Sequence, residues 1–507
     1  MKYLIAHDLG TSGNKATLFS EEGKLIGSTV YNYGCHYFND NWAEQDPQDW
    51  WRSICITSRS LLADTKVDPR DVAAVSFSGQ MMGCLCVDRD GTPLRPSIIW
   101  ADQRAQAQQR AIGEHISLED YYHIVGHRNA ASYGLQKLMW VRDNEPDLYR
   151  QTYKTLNAKD YIVFKLTGKF CTEPSDASSN ACVDLRTLSW SEKIINISGI
   201  DPDKLPEIVP STHVAGGVTR EAAAETGLAP GTPVVMGGGD GVCANVGAGS
   251  VRPGQTFSYV GSSSWIATTS ETPVFDPQMR TVTWAHIVPG LYAPNGTMQS
   301  AGGSYAWLKN QVCRYEAAEA ERMGVSPYDL INREIEQSPI GSNGIIFLPY
   351  LLGERAPRWN PDAKGAFIGL KMENERRDLL RSVLEGVTMN LGIILDVLRA
   401  QMPIDRELLV IGGGAKGKVW RQMMANVYDA RIKSPVLLEE ATSMGAAVTG
   451  GVGVGLFKDF DAIERFIQID SVQEPDPKAV AAYGPVKEMF DLCYEALLPV
   501  YARMAGK

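Results

Sequence analysis

The 507-residue chain lacks the features of a membrane protein, a nucleic-acid-binding protein or a disulfide-bonded secreted domain. No apolar run approaches the 18 or so residues of a membrane span, and the run after Met1 and Lys2 is too short for the apolar core expected of a secretory leader. Lys and Arg number 49 against 59 Asp and Glu, giving a net charge of −10, and no basic block interrupts this excess. Such a surface repels nucleic acid and anionic lipid. We therefore expect a cytoplasmic protein that binds neither.

Cysteine frameworks and hydrolase motifs are missing as well. The nine cysteines are scattered rather than spaced as in a small disulfide scaffold, so we expect reduced thiols. No Gly-x-Ser-x-Gly elbow or His-Glu-x-x-His helix occurs, which disfavours hydrolases. His123 and His127 have a spacing that zinc sites use, but no Cys, Asp or Glu pair beside them completes a ligand set. The favoured interpretation of these two residues is that they are core histidines.

What the chain does contain is an alternation of strand-like and helix-like segments. Residues 3–6, 16–19 and 25–30 are β-prone and separated by turn formers, residues 50–62 have helical apolar spacing, and residues 72–77 form a short apolar run. This alternation continues down most of the chain. It predicts an α/β fold.

The opening strand-turn-strand plan recurs in the second half, at residues 255–269. A Gly-rich and Pro-punctuated stretch, residues 247–254, precedes the repeat and has the composition of a linker. We therefore expect two domains, residues 1–246 and 255–507. A cleft between them would be the place for ligands.

The turn from Asp8 to Lys15 could hold a phosphate group. Its glycines let the backbone approach a ligand closely, Lys15 can neutralise charge, and Asp8 at a strand end can hold hydrated Mg²⁺. The alternative is a plain hairpin turn with a solvated aspartate, because such turns often use Gly and Asp. Residue types alone leave both interpretations open.

A second Gly-rich turn, residues 410–418, nearly spells a Walker A loop. Val419 stands where that loop needs a magnesium-binding hydroxyl, so the P-loop interpretation fails. Three consecutive glycines still allow a flat ring or a phosphate to lie against the main chain. Close packing of a strand on a helix explains them equally well.

A third Gly-rich turn carries Asp240 and imitates a dinucleotide fingerprint. Asp240 lies inside the loop that would receive an anionic pyrophosphate, and no acidic residue follows about 20 positions later, which disfavours a dehydrogenase. A carboxylate on such a turn can accept a proton from a substrate hydroxyl, although it can also merely cap the next helix. Phosphoryl transfer needs positioning, charge neutralisation and one such carboxylate. The set of turns fits a small-molecule kinase.

Longer sequence segments resemble the FGGY family of carbohydrate kinases, and the xylulokinases most closely among them. The family's carboxyl-terminal signature is matched by residues 365–370 and 378–385, and its amino-terminal signature by Ser132, residues 137–141 and 143–144. Gly134 departs from the Pro, Ser or Thr usual at its position in that signature. The likeness extends over almost the whole chain.

This resemblance implies two actin-like, ribonuclease-H-like domains that flank a deep catalytic cleft. It implies ATP-dependent phosphorylation of a terminal sugar hydroxyl, with D-xylulose converted to D-xylulose 5-phosphate as the first expectation. Another ketose, a polyol, an aldonate or a signalling sugar is the alternative substrate. ATP and Mg²⁺ would be the cofactors and a homodimer the assembly. An actin-like protein that binds nucleotide and sugar without catalysis is the rival outside the kinases.

The resemblance also implies roles for individual residues. Asp240 would be the general base, and Asp8 would organise Mg²⁺ and the transferring phosphate, so that both carboxylates belong to the metal site. The expected ATP contacts are Thr11, Ser12, Lys15, Gly261, Ser262, Gly302, Ala306, Gly413, Gly414 and Lys418. The expected sugar contacts are Gln80, Met81, Met82, Trp100, Asp102 and Asp240.

Two positions near the expected sugar site depart from the family pattern. Met82 stands where xylulokinases usually have His, and Gly241 stands where the family commonly has Asn or Gln. Each change removes a hydrogen-bonding partner for a sugar hydroxyl, and such a loss can alter specificity strongly. The sequence therefore leaves the preferred sugar open.

Overall fold

The first sheet begins with the hairpin that the sequence predicts at the amino end. In this computed structural model, which describes residues 1–506, Tyr3–Leu9 pairs antiparallel with Gly13–Ser20 and parallel with Val72–Gly79. The short strand Gly238–Gly239 also pairs with Val72–Gly79. From edge to edge the main strands are Val214–Gly217, Pro233–Val235, Val72–Gly79, Tyr3–Leu9, Gly13–Ser20 and Leu25–Asn32.

The second sheet repeats this plan. The hairpin Thr256–Val260 and Ser264–Thr268 lies beside the parallel strand Glu407–Ile411, as the first hairpin lies beside Val72–Gly79. From edge to edge the strands are Val282–Ala285, Tyr292–Met298, Ser264–Thr268, Thr256–Val260, Glu407–Ile411, Arg431–Pro435 and Ile469–Gln473. The predicted α/β class is therefore confirmed.

Helices cover both sheets and bury the apolar faces of the strands. The helix Pro47–Thr65 begins at the cap Asp46, whose carboxylate accepts the Gln48 N–H, and it packs Trp50, Ile54 and Leu61 on the first sheet. Other helices of the first half are Gln106–Gly113, Leu118–Val125, Gly134–Asn144, Pro146–Gln151, Ala158–Thr167, Pro174–Ser179, Glu192–Ser198, Arg220–Thr226 and Asp240–Gly247. Those of the second half are Gly302–Gln311, Arg314–Met323, Pro327–Ile335, Arg376–Gln401, Lys418–Tyr428, Ala441–Gly453 and Pro477–Met504.

Short strands complete the connections between these elements. They are His36–Phe38, Trp42–Gln45, Leu85–Val87, Ser97–Ile98, Lys154–Leu156, Cys171–Thr172, Val183–Asp184, Ser189–Trp190, Glu207–Ile208, Ile346–Leu348 and Ala366–Ile368. All nine cysteines of the chain are free thiols. Among residues 1–506 no helix combines the length and the apolar character that crossing a bilayer requires. The cytoplasmic location and the homodimer stay predictions.

The helix Ala441–Gly453, which follows the second sheet's strand Arg431–Pro435, packs against the first sheet. A Cβ added at Gly450 would lie 3.0 Å from Ser76 Cβ on the strand Val72–Gly79, so the helix touches that strand closely. The apolar cluster here joins residues of both halves: Leu4, Ala6, Phe19 and Ala74 with Met444, Ala447, Phe457 and Phe466. The predicted linker, residues 247–254, separates the two sheets, but the packing crosses it.

Candidate active site

A cavity of about 970 Å³ lies where the Gly-rich turns of both halves meet. The three turns that the sequence singles out separately all reach it, and so does the turn of the second hairpin. The expected site residues that line it are Asp8, Lys15, Asp240, Gly261, Ser262, Gly302, Ala306, Gly413 and Gly414. The fold therefore brings together in one place residues that are up to about 400 positions apart in the sequence.

Asp8 lies near the end of the strand Tyr3–Leu9 and connects the two halves of the chain. Its Oδ1 accepts a hydrogen bond from Ser78 Oγ at 2.7 Å, and its Oδ2 accepts one from Thr442 Oγ1 at 2.7 Å. Burial raises the pKa of Asp8 above its ordinary value although both hydroxyls favour the ionised form. Thr442 belongs to the helix Ala441–Gly453, so this helix positions the aspartate.

Asp240 is the first residue of the helix Asp240–Gly247, and its Oδ1 accepts the N–H of Gly241 at 2.7 Å. Burial, and secondly the negative charge of Asp8, raise the pKa of Asp240 to about 7. The N-cap residue is Gly239, so Asp240 does not cap this helix, although its carboxylate accepts one N–H of the first turn. A carboxyl group with a pKa near 7 is well suited to accept a proton at neutral pH.

The turn that carries Asp240 is held from behind by a buried polar network. The Gly239 N–H donates to Ser175 Oγ at 2.9 Å, and Ser175 Oγ donates to Glu173 Oε1 at 2.6 Å. Glu173 lies 3.4 Å from the ammonium of Lys159, and both side chains are fully buried. This chain of contacts fixes the backbone that presents Asp240 to the cavity.

Lys15 reaches across the cavity from the first hairpin. Its Nζ donates to the carbonyl oxygen of Glu439 at 2.9 Å and lies 3.5 Å from Glu440 Oε1. Both acceptors precede the helix Ala441–Gly453. Lys15 therefore places a positive charge near Asp8 and contacts the second half of the chain.

A second cavity of about 560 Å³ lies between side chains of both halves. Met82 and Trp100 line it from the first half, and Trp284 and Arg355 line it from the second. A Cβ added at Gly241 would lie 3.0 Å from Trp284 Cζ3, so the residue that follows Asp240 lies against the wall of this second cavity. The two cavities therefore approach each other at Asp240 and Gly241.

Met82 and Trp100 are each held by contacts with the first half. Met82 has a φ of +63°, and its carbonyl oxygen accepts from Lys137 Nζ at 2.8 Å. Trp100 Nε1 donates to Thr11 Oγ1 at 2.8 Å. Thr11 therefore supports a wall of the second cavity and is absent from the lining of the first.

Several expected contacts lie outside both cavity linings. Ser12 is exposed on the first hairpin turn, and Lys418 begins the helix Lys418–Tyr428, whereas Lys416 lines the first cavity. Gln80 is buried and donates to Gln45 Oε1 at 2.7 Å, and buried Met81 packs on Gly239. Ser12 and Lys418 as ATP contacts, and Gln80 and Met81 as sugar contacts, stay predictions.

Asp102 is the expected sugar contact that the structure places least favourably. The residue is fully buried, and its Oδ2 accepts the Ala43 N–H at 2.6 Å and lies 2.7 Å from Arg104 Nη2. Its Oδ1 accepts the Arg104 N–H at 2.9 Å. Both oxygens are thus engaged in a buried ion pair, and Asp102 lines neither cavity. Its expected role comes from the family resemblance, which does not reveal its neighbours, and Asp102 as a sugar contact stays a prediction.

Some residues that line the cavities carry no sequence signal. Thr442 and Trp284 belong to no motif, and the aromatic pair Tyr305 and Tyr328 lines the first cavity near Asn332. The departure at Gly241 was the one available pointer to Trp284, since a missing side chain leaves space for another residue.

The two aspartates fit a magnesium ion. Mg²⁺ usually takes one or two carboxylates, with waters and substrate phosphates as its other ligands. Asp8 and Asp240 provide two carboxyl groups on one cavity, and their raised pKa values reflect burial that a cation would offset. Within residues 1–506 no cluster of three or more His, Cys, Asp or Glu side chains forms an all-protein metal site.

The matches to known proteins settle the family. Residues 3–247 match the N-terminal domain, and residues 257–454 the C-terminal domain, of the FGGY family of carbohydrate kinases. The chain belongs to this FGGY family. It is 31% identical to a gluconokinase of Bacillus subtilis (strain 168) over 491 residues, which covers 96% of this chain and 94% of that protein. It is 32% identical to a xylulose kinase of the same organism over 497 residues, covering 97% and 96%.

Solved structures give the same result for this FGGY kinase. A ligand-bound xylulose kinase from Lactobacillus acidophilus superposes with a TM-score of 0.92 at 27% identity, covering 99% of this chain and 100% of that one. A gluconate kinase from the same organism superposes with a TM-score of 0.90 at 27% identity, covering 99% of each chain. The expected pair of actin-like domains is thereby confirmed, and the protein is a sugar kinase, a family activity that uses ATP.

Proposed function

We propose that this FGGY kinase transfers the γ-phosphoryl group of ATP to a terminal hydroxyl of a small open-chain sugar. The observation that carries the proposal is the place of Asp240, which lines the first cavity while Gly241 beside it lies against the wall of the second. A nucleotide in the first cavity and a sugar in the second would meet at this carboxylate. D-Xylulose, giving D-xylulose 5-phosphate, is the first candidate, as the sequence predicts.

The first cavity has the features of a nucleotide site. The N–H groups of the turns at Gly261 and Gly413 can donate to phosphate oxygens, as Gly-rich turns do elsewhere. A Cβ added at Gly413 would meet no atom within 4 Å, so bare backbone faces open space there. Tyr305 and Tyr328 line the same cavity and offer aromatic surface to a base.

The chemistry follows from the residues around Asp240. The ionised carboxylate accepts the proton of the sugar hydroxyl as that oxygen attacks the γ-phosphorus in line. Lys15 and the N–H groups of the turns stabilise the negative charge that develops on the phosphoryl oxygens. Asp8 and Asp240 would hold Mg²⁺, which would neutralise phosphate charge when bound. Water must be excluded during this step, because an open site would hydrolyse ATP.

An aldonate is the second candidate substrate, and Arg355 favours it. Arg355 lines the second cavity, and its Nε is buried without a hydrogen-bond partner among residues 1–506. Burial lowers the pKa of this guanidinium, so a bound anion would relieve an unfavourable environment. Arginine binds carboxylates in a bidentate manner. The carboxylate of an aldonate lies at the opposite end of the molecule from its terminal hydroxyl. An aldonate would therefore place its carboxylate at Arg355 and its terminal hydroxyl at Asp240.

The test is ADP release in a coupled assay with D-xylulose, D-ribulose, xylitol and D-gluconate as acceptors. We expect release that depends on an acceptor, with a clear preference for one of them. Arg355→Met should raise the KM for D-gluconate by about 10-fold or more, because a charged hydrogen bond is lost, and should change the KM for D-xylulose less. ATP binding without release on any acceptor would favour the actin-like binding protein instead.

A further inference from the structure

Trp284 occupies the space that a side chain at position 241 would need. The residue lies on the strand Val282–Ala285 of the second sheet and lines the second cavity. A Cβ added at Gly241 would lie 3.0 Å from Trp284 Cζ3 and 3.7 Å from Cη2. The first distance is shorter than an ordinary van der Waals contact. A side chain at 241 would therefore require the indole ring to move from its present position.

His127 fixes the orientation of this indole ring. Trp284 Nε1 donates to His127 Nδ1 at 3.1 Å, and His127 Nε2 donates to the carbonyl oxygen of Ser178 at 3.0 Å. The N–H of Ala285, next to Trp284, donates to Ser178 Oγ at 3.2 Å. His127 is fully buried, and burial lowers its pKa to about 3, so the ring stays neutral and keeps this arrangement at neutral pH.

These contacts leave the indole with only hydrocarbon to offer a ligand. Its single N–H group is engaged by His127, and indole has no hydrogen-bond acceptor. Met82 lines the same cavity, and its thioether is at most a weak acceptor. At positions 82 and 241 the family usually has hydrogen-bonding side chains. Here Met82 and the ring of Trp284 form an apolar wall instead.

We propose that Trp284 is a specificity-determining residue of the acceptor site, admitted by Gly241 and positioned by His127. This inference rests on the proposed kinase function and specifies its substrate class. The wall contacts C–H groups of the acceptor's carbon chain. A hydroxyl directed at the wall loses its hydrogen bonds to water without replacement, and this loss is costly. The site therefore favours an acceptor with a deoxygenated carbon over its fully hydroxylated counterpart.

The first test compares acceptors that differ by one hydroxyl group. The pairs are D-xylulose with 1-deoxy-D-xylulose and D-gluconate with 2-deoxy-D-gluconate, and ADP release gives kcat and KM for each. In at least one pair the wild-type kinase should favour the deoxygenated member by about 10-fold in kcat/KM. Trp284→Ala should abolish that preference and raise the acceptor KM, while the KM for ATP changes less than about 2-fold.

The second test is a double-mutant cycle on positions 241 and 284. Gly241→Asn alone should lower kcat/KM by about 10-fold or more, because the new side chain collides with the indole. The double variant Gly241→Asn, Trp284→Ala should have a kcat/KM at least about 5-fold higher than Gly241→Asn alone. It should also favour the fully hydroxylated acceptor of each pair. Two such residues in contact are expected to be strongly non-additive. Additive effects in the cycle would contradict the proposal.

His127 is tested as a positioning residue. His127→Phe removes the acceptor for the indole N–H and should raise the acceptor KM with little change in the KM for ATP. His127→Gln retains an acceptor and should restore most of the wild-type KM. Trp190→Phe is the matched control, since that indole donates to the Pro206 carbonyl oxygen at 2.9 Å and Trp190 lines neither cavity. Its KM values should remain those of the wild type.

Thermal midpoints and ATP binding identify variants that fail to fold, and Trp284→Phe serves as the milder replacement for any that do. Wild-type acceptor KM values and preferences in folded Trp284→Ala and Trp284→Phe proteins would overturn the inference. Failure of the kinase proposal has a different signature, which is that the wild-type protein binds ATP but releases no ADP with any acceptor.

Discussion

At the scale of single residues, the two carboxyl groups on the first cavity determine how activity responds to pH. Burial and the charge of Asp8 raise the pKa of Asp240 to about 7, so Asp240 is fully ionised only above neutral pH. The ionised form is the base. We expect kcat/KM to fall about 10-fold per pH unit below pH 7 and to reach a plateau above pH 8, in steady-state assays from pH 5.5 to 9. A flat profile over this range would contradict the assignment.

The same raised pKa predicts a pH-dependent stability difference for Asp240→Asn. The pKa of Asp240 is about 7 in the folded protein against an ordinary value of 3.8, so folding favours the protonated form. Its stabilising contribution is present below pH 3.8 and is lost as the pH rises through 7. Asparagine cannot ionise. We expect the thermal midpoint of Asp240→Asn to exceed that of the wild type by roughly 2 °C or more at pH 8.5. The difference should shrink at pH 5.

Equal thermal midpoints of the wild type and Asp240→Asn at pH 8.5 would show that ionisation of Asp240 does not destabilise the fold. Asp405→Asn, the same change at an aspartate outside both cavity linings, is the comparison that separates the effect of the cavity position from that of the substitution itself.

The sequence carried information about some of these residues and not others. Asp8, Lys15 and Asp240 belong to Gly-rich turns. A Gly-rich turn can be recognised from its own residues, without knowledge of what it contacts in the fold. Thr442 and His127 act through contacts with residues more than 150 positions away, namely Asp8 and Trp284, and a single sequence does not show such pairs. Asp102 shows the same limit, because the sequence does not reveal that Ala43 and Arg104 contact its two oxygens.

At the scale of elements, the contact between Ala441–Gly453 and Asp240–Gly247 requires glycine. A Cβ added at Gly445 would lie 2.0 Å from the Cys243 carbonyl oxygen, so backbone meets backbone there. Gly445→Ala should destabilise the fold by about 1–3 kcal/mol, and it should lower kcat because it displaces the helix that begins with Asp240. Chemical denaturation and steady-state assays measure the two effects.

Gly484→Ala is the matched control for that substitution. Gly484 lies in the helix Pro477–Met504, and an added Cβ meets nothing within 4 Å. Alanine is the better helix former, but Pro485 disfavours a Cβ on the helical residue before it, so we expect stability to change by less than about 1 kcal/mol and kcat to stay unchanged. Equal behaviour of the two alanine variants would show that the packing at Gly445 is looser than the structure indicates.

Elements differ in how far their sequence revealed them. The hairpins and the helix at residues 50–62 have clear periodicity and turn residues, and they appear as Tyr3–Ser20, Thr256–Thr268 and Pro47–Thr65. The helix Ala441–Gly453 is buried on nearly every side, and its small residues include no charged side chain that would mark a solvent-exposed face. Without such a face, the sequence does not indicate which sheet the helix covers.

At the scale of the whole molecule, the shared apolar cluster makes the first half dependent on the second. Leu4, Ala6 and Phe19 of the first sheet pack with Met444, Phe457 and Phe466. A fragment of residues 1–254 exposes this surface to water, at a cost of roughly 25 cal/mol per Å² of apolar area. We expect it to show no cooperative thermal transition by circular dichroism. Co-expression with residues 255–507 should restore one.

Independent cooperative folding of that fragment would mean that the first sheet is complete without the helix Ala441–Gly453. The domains predicted from the sequence would then also be units that fold independently.

The measurement that tests the central claim most directly combines calorimetric ATP binding and acceptor-dependent ADP release for Asp240→Asn. If Asp240 is the base at the meeting point of the two cavities, ATP affinity should change less than about 3-fold, while turnover should fall by a factor of about 10² or more. Wild-type turnover in this variant, with its fold intact, would contradict the account.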